Sequence, residues 1–290
     1  MLTSAQKKWE IAQWIAYLKD KEIPVLESSR DKLSALIRER KEGLAPKEMV
    51  GLIFQDPYLA LKLLRRAEER RTSRMGHETT TPLASVLQTG LDDLTNVVLN
   101  GPVANAALPG SGVKQCQHRA IMAADIAHQW ASMRTDISPD EVAMAALLSE
   151  CGELLLWHFA PELPQQAMDE LLSGRALRTI QAQQQTCGFS FKVMTLELVQ
   201  AWKLPNLIAL LIKGSETPRA NLARLATDTA RHIETNPENP AIPADIVNIN
   251  EILKDASPHR LVSVLPISDQ YKTFVLEQIA AHTVSMEPKK

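Results

Sequence analysis

One apolar stretch of this chain carries four side chains that could do chemistry: the hydroxyl of Ser149, the carboxylate of Glu150, the thiol of Cys151 and the imidazole of His158. A serine and a histidine can act as nucleophile and base, but these two are nine positions apart on one predicted helix. That spacing turns them to different faces and separates them by about 13 Å. Cys151 lies on the apolar side of the helix, where burial raises the pKa of a thiol. The stretch therefore predicts no nucleophilic enzyme.

The helix that carries these residues is predicted to begin at residues 138–141, Ser-Pro-Asp-Glu. This sequence is typical of a capping box with proline at the first helical position. Apolar residues then recur at i, i+4, i+7 and i+11 as Met144, Leu148, Cys151 and Leu155. The spacing places them on one stripe, so this side of the helix is expected to face the core.

Helical patterns continue along the rest of the chain. The first helix is expected to bury a stripe that contains Trp14 and to end before Pro24. Asp56-Pro57 and Thr81-Pro82 are each typical of an N-cap followed by proline. Alternating runs of β-branched residues are nearly absent. The sequence therefore predicts an all-α protein.

Composition and charge narrow the class of protein. The 290 residues are 45% hydrophobic and 23% charged, close to ordinary globular usage. The net charge of -2 provides no overall electrostatic field that would attract nucleic acid or an anionic membrane. Three cysteines without Cys-x-x-Cys spacing indicate neither a disulfide framework nor a zinc site, and they favour the reducing cytoplasm. No uninterrupted apolar run approaches about 18 residues, so we expect no membrane span.

Residues 144–158 resemble the core helix of HD-type metal phosphohydrolases, with Ser149 and Glu150 in the positions of the adjacent His-Asp pair. Further segments resemble the HDOD family, the HD-related output domain of bacterial signalling proteins. The matching segments are residues 22–26, residues 54–65 with 81–91, residues 118–124, and residues 187–189 with 202–205. The resemblance implies a multi-helical fold in which an N-terminal helical bundle packs on a degenerate HD-type helical bundle.

The resemblance and the breaks in helical pattern divide the chain into four parts. We expect an N-terminal helical subdomain over 1–101, a linker over 102–116, a degenerate HD-like subdomain over 117–234 and a C-terminal helical tail over 235–290. Residues 101–112 are rich in Gly and Pro, as is typical of a linker. Three prolines within residues 235–243 prevent a helix from continuing there.

The site residues implied by the resemblance lack the chemistry of a metal centre. Serine is a poor replacement for an imidazole ligand, and His118 alone cannot hold a catalytic metal. The register for the distal aspartate offers Arg224, and the next helical turn offers Asp228. Glu150 is expected to be a solvated carboxylate or a partner in a helix pair. We therefore predict no catalytic residues, no metal and no cofactor.

The resemblance then implies a non-catalytic protein of signal transduction, a scaffold that binds a signalling or regulatory protein. The expected docking cleft is lined by His118, Ser149, Glu150, Trp157 and Trp202.

Two alternative functions remain open. The first is a divergent metal-dependent phosphohydrolase that acts on nucleotides or cyclic dinucleotides. The second is a nucleic-acid-binding regulator, which would use a basic patch at Arg65, Arg66, Arg70, Arg71 and Arg74. Glu68 and Glu69 interrupt that patch, and no aromatic residues alternate with its arginines, so nucleic acid or nucleotide binding is disfavoured.

Overall fold

The all-α prediction is confirmed by the computed structural model, which describes residues 2–39, 43–71, 78–104 and 112–286, with side chains to residue 281. The first helices are α1 (Ile11–Lys19), α2 (Glu27–Glu39), α3 (Pro46–Phe54), α4 (Pro57–Arg70), α5 (Pro82–Thr89) and α6 (Leu91–Asn100). The middle helices are α7 (Val113–Ala131), α8 (Pro139–Leu148), α9 (Cys151–Phe159), α10 (Glu162–Leu172), α11 (Thr179–Cys187) and α12 (Phe191–Ala201). The last helices are α13 (Asn206–Lys213), α14 (Pro218–Thr235), α15 (Ala241–Ile252), α16 (Pro258–Ser263) and α17 (Asp269–Met286).

Two of the predicted helix caps are confirmed. The Asp56 carboxylate accepts a hydrogen bond from the Leu59 amide at 3.0 Å, and the Thr81 hydroxyl accepts one from the Ala84 amide at 3.3 Å. Each side chain satisfies an amide that would otherwise have no partner within the helix. Asp56 is fully buried and also accepts from the Leu26 amide at 2.7 Å, which fixes the start of α2 beside the start of α4.

The predicted capping box at Ser138 is wrong, although α8 does begin at Pro139. The Ser138 side chain makes no capping hydrogen bond. The Glu141 carboxylate instead accepts from the Thr80 hydroxyl at 2.9 Å and pairs with Arg219 at 3.4 Å. Contacts with distant helices therefore replace the local bond that the sequence suggested.

The predicted single helix over residues 139–158 is interrupted at its polar pair. Helix α8 ends at Leu148 and α9 begins at Cys151, so Ser149 and Glu150 lie between two helices. Taken together, residues 139–159 are apolar and long enough to cross a membrane, but 78% of their most apolar stretch is buried within the protein. That degree of burial is typical of a core segment.

The core joins the N-terminal helices directly to the HD-like helices. Helix α7 packs against α8 and α14, and α4 packs against α8 and α9. The buried Tyr58 hydroxyl of α4 donates to the Leu154 carbonyl of α9 at 2.9 Å. At the other end, the buried indole of Trp130 donates to the Leu261 carbonyl at 3.1 Å, which attaches the C-terminal helices to α7. These contacts hold α7, α8, α9 and α14 in fixed positions around the polar pair.

Seven of the fifteen residues of the predicted linker over 102–116, residues 105–111, lie outside the described part of the chain. Its last four residues are helical, because α7 begins at Val113. At its other end, residues 102–104 run beside Val25. The Val25 amide donates to the Pro102 carbonyl at 2.9 Å, and the Ala104 amide donates to the Val25 carbonyl at 2.8 Å.

Candidate functional site

Glu150 lies at the centre of the candidate site, in the interruption between α8 and α9. It is only 7% exposed, so the expectation of a solvated carboxylate is wrong. Its Oε2 accepts from Arg119 Nε of α7 at 2.6 Å, and its Oε1 accepts from Arg231 Nη2 of α14 at 3.0 Å. Two guanidinium groups on neighbouring helices therefore compensate one buried carboxylate.

These contacts belong to a longer series of alternating charges. Arg119 also donates to Glu153 of α9 at 3.2 Å, and on α14 Asp228 lies 3.5 Å from Arg231 and 3.2 Å from Arg224. We call this series the charge ladder. Its members, in order of contact, are Arg224, Asp228, Arg231, Glu150, Arg119 and Glu153. The ladder connects three helices, α7, α9 and α14, and runs from the exposed Arg224 to the buried Glu150.

The two glutamates of the ladder differ in their ionisation. Burial opposes ionisation of Glu150, but Arg119 and Arg231 outweigh it and hold the pKa of that carboxyl below its usual range. Burial raises the pKa of Glu153 despite its contact with Arg119, and the charge of Glu150 raises it further. Folding therefore favours the ionised form of Glu150 and the neutral form of Glu153.

Glutamine substitutions at these two positions are expected to change stability with opposite pH dependence. The depressed pKa of Glu150 gives a stabilisation that is present above its usual pKa and lost as pH falls through the lower value. The raised pKa of Glu153 gives a stabilisation that is present at low pH and lost as pH rises through the higher value. As pH falls, the loss in free energy of unfolding caused by Glu150→Gln, relative to wild type, should therefore become smaller. The loss caused by Glu153→Gln should become larger.

Urea unfolding of the wild type and both variants at about pH 7, 5 and 4 measures these differences. Curves in which both differences change in the same direction with pH would contradict the assignment.

A small cavity of about 110 Å³ opens beside the interruption. It is lined by Ala145, Ser149, Glu150, Glu153, Gln183, Phe191, Lys192, Leu211, Ile212, Ala223, Arg224, Thr227, Asp228 and Arg231. The Ser149 hydroxyl bonds to the Ala146 carbonyl at 2.7 Å and lies 3.2 Å from the Thr227 hydroxyl. Neither contact is with a general base, so the position offers no activated nucleophile. Both residues considered for the distal aspartate, Arg224 and Asp228, line this cavity and pair with each other.

The residues at this position do not fit a metal ion. Ligand atoms of Cys116, Glu150 and Glu153 lie within 4.8 Å of one another. However, Arg119 already bonds to both carboxylates, and burial raises the pKa of the Cys116 thiol well above its usual value. A metal would have to displace a guanidinium and bind a thiol that favours its neutral form. The positive charge that this cluster needs is supplied by arginine.

The structure divides the five residues of the predicted docking cleft among several places. Ser149 and Glu150 line the cavity, and the buried Trp157 donates its indole N–H to Glu153 at 3.2 Å. His118 is exposed and lines a separate groove with Val50 and Phe54 of α3. Trp202 is buried at another interface, where its indole donates to the Lys19 carbonyl at 3.0 Å. Only the first three residues belong to one site.

Sequence reasoning missed the two arginines that define the site. Arg119 follows His118 directly, and its carboxylate partner is 31 positions away in the chain. The spacing of Arg224, Asp228 and Arg231 at i, i+4 and i+7 was the signal that could have found the α14 half, because it places all three on one helical face.

The described arginines of the basic patch are paired with carboxylates. Asp93 bonds to Arg66 at 2.7 Å and to Arg70 at 3.0 Å. The other pairs are Arg65–Glu69 at 2.9 Å and Arg71–Glu68 at 2.7 Å. Arg74 lies outside the described residues. These carboxylates partly neutralise the surface that a phosphate backbone would contact.

Comparisons with known proteins agree with this architecture. The family model described as the HDOD domain matches residues 23–218. A response regulator, MmoQ from Methylococcus capsulatus, has 15% sequence identity and a TM-score of 0.63, over 89% of this chain and 99% of its own. A virulence factor from Campylobacter jejuni has 14% identity and a TM-score of 0.70, over 91% of this chain and 98% of its own. At these identities the likeness shows the fold alone. No curated protein sequence matches the chain.

Proposed function

This chain belongs to the HDOD family, and from that premise we propose that it is a non-catalytic regulatory protein of signal transduction. Its helical surface serves as a scaffold for a signalling or regulatory protein partner. We place it in the reducing cytoplasm, in keeping with free thiols at Cys116, Cys151 and Cys187.

The observation that carries this proposal is the pairing of Glu150 with Arg119 and Arg231. In an HD hydrolase the corresponding carboxylate is a metal ligand, and the metal supplies the positive charge that activates water. Here two guanidinium groups are bonded to that carboxylate, and neither can be deprotonated to act as a base at ordinary pH. Ser149, in the position of the adjacent histidine, bonds to a backbone carbonyl. The arrangement supports a structural role for the polar pair.

Two further observations weigh on the alternatives. Within the described residues the phosphohydrolase alternative has little support, because Arg224 and Asp228 bond to each other where a distal aspartate would contact the metal. The nucleic-acid alternative depends on a patch whose four described arginines are already paired with Asp93, Glu68 and Glu69. The response regulator that shares the fold supports the assignment to signalling.

The proposal is tested by a turnover assay on nucleotides, cyclic dinucleotides and simple phosphodiesters, with iron, manganese or zinc added. We expect the wild-type protein to match blanks that contain metal alone, because Arg119 already bonds to the two carboxylates of the described residues that could hold a metal ion. Ser149→Ala and Glu150→Gln are the comparison variants. Turnover by the wild type that either substitution abolishes would show that the cavity is an active site and would overturn the proposal.

A further inference from the structure

We propose that the cavity between α8, α12 and α14 binds a small phosphate group, either free or carried by a small metabolite. This inference deepens the proposed function and rests on it, since it assigns to the non-catalytic site a ligand that could report a signal. It is carried by the distribution of charge around the cavity, by the donors on its walls and by its size.

Charge around the cavity is unevenly compensated. At the inner wall Arg119 bonds to both Glu150 and Glu153, on the side away from the cavity opening that Lys192 and Arg224 line. At the outer wall Lys192, Arg224 and Arg231 surround Asp228, which is the one carboxylate of the described lining that does not contact Arg119. Arg231 also bonds to Glu150 at 3.0 Å, and Arg224 pairs with Asp228. Lys192 is therefore the cation of this lining without a carboxylate partner among the described residues, and an anion entering the cavity would compensate its charge.

Lys192 is the least compensated of these cations. Among the described residues it has no ion pair, although it lines the cavity beside Asp228, Arg224 and Arg231. Burial lowers the pKa of its ammonium group; Asp228 partly offsets this, and the two arginines lower the pKa further. A bound anion would relieve that repulsion.

The neutral part of the wall also suits an oxyanion. Lys192 is in the first turn of α12, where the helix dipole is positive. Gln183 uses its carbonyl oxygen to accept from the Phe191 amide at 2.9 Å, which leaves its NH2 group as a donor at the wall. Ser149 and Thr227 also line the space, but their hydroxyls donate to the Ala146 and Ala223 carbonyls, so the Gln183 NH2 group is the neutral donor that we assign to the ligand.

The size of the cavity limits the ligand. Its volume of about 110 Å³ is well below the roughly 300 Å³ at which pockets for drug-sized ligands begin. A phosphate group fits the space, whereas a nucleotide base would have to remain outside. We therefore expect only the phosphate group of the ligand to enter the cavity.

The test is a titration of the full-length protein with inorganic phosphate at constant ionic strength, followed by calorimetry and by thermal unfolding. A ligand that binds only the folded state raises the melting temperature with its concentration. We expect saturable binding that is at least about tenfold weaker in Lys192→Gln and in Arg224→Gln, the usual size for one lost charged hydrogen bond. Two variants at separate positions ensure that a folding defect in one does not decide the result.

Lys254→Gln is the matched control, because Lys254 lines a different groove, together with Arg134 and Asp255. It should bind phosphate as the wild type does. Glycerol 3-phosphate distinguishes the two sources: equal or tighter binding supports a metabolite, and binding of phosphate alone supports the free ion. Absence of saturation, or equal weakening in Lys254→Gln, would overturn the site. Such a result leaves the non-catalytic proposal intact, whereas release of phosphate from glycerol 3-phosphate would overturn that proposal instead.

Discussion

Replacing Arg119 by methionine is expected to lower the free energy of unfolding by about 3–5 kcal/mol, the usual cost of removing one partner from a buried ion pair. Arg119 bonds to Glu150 at 2.6 Å and to Glu153 at 3.2 Å, and its own side chain is largely buried. Without it, Glu150 keeps only Arg231, and Glu153 loses its guanidinium. Denaturant unfolding at neutral pH measures the loss.

Arg66→Met is the matched control, since it removes a similar guanidinium–carboxylate contact, with Asp93 at 2.7 Å, from a partly exposed surface. It should cost less than about 1 kcal/mol. The double variant Arg119→Met/Glu150→Gln should recover part of the loss, because it removes the buried charge together with its partner. Equal costs for Arg119→Met and Arg66→Met would contradict the buried ladder.

Replacing Gly152 by alanine is expected to cost about 2–3 kcal/mol, near the upper end for forcing an extra methyl group into a packed core. A Cβ atom at Gly152 would lie 2.8 Å from the Thr195 amide nitrogen and 2.9 Å from the Phe191 carbonyl oxygen. Both are backbone atoms of α12 that cannot move independently of the helix. The substitution would also disturb the hydrogen bond from the Gly152 amide to the Thr195 hydroxyl at 3.0 Å.

Gly51→Ala provides the control, because Gly51 lies at an exposed position of α3 where an added methyl group would meet no atom within 4 Å. It should be neutral or stabilising by up to about 1 kcal/mol, since alanine favours the helix. Thermal and denaturant unfolding of both variants decides the comparison. A Gly152→Ala protein as stable as Gly51→Ala would show that α9 and α12 are not in close contact.

Local patterns in the sequence predicted the helices and several of their starting points. Asp56 and Thr81 cap helices as expected, because an N-cap depends on residues within the same turn. The burial of Cys151 was also predicted from its apolar stripe, and burial raises the pKa of that thiol to about 12. The family resemblance depends on short motifs and is confirmed over residues 23–218.

The site could be predicted only in part, because the contacts that form it join residues that are far apart in the sequence. Helical periodicity ran through Ser149 and Glu150 without a sign of the interruption, beside which the Gly152 amide donates to the Thr195 hydroxyl of α12. The buried Glu150 carboxylate accepts a hydrogen bond from Arg231, which lies 81 positions later in the sequence. No local pattern predicts that contact. Likewise, a predicted helix surface does not reveal that His118 lines a groove whereas Trp202 is buried against the end of α1.

The central claim is that Glu150 is compensated by arginines in the place where a metal would bind in an HD hydrolase. Equilibrium dialysis of the wild-type protein against iron, manganese and zinc, followed by elemental analysis, tests it most directly. The account predicts no stoichiometric metal, and none in Ser149→His/Glu150→Asp, because Arg119 and Arg231 remain in place. Close to one equivalent of metal bound by the wild type, and lost in Glu150→Gln, would contradict it.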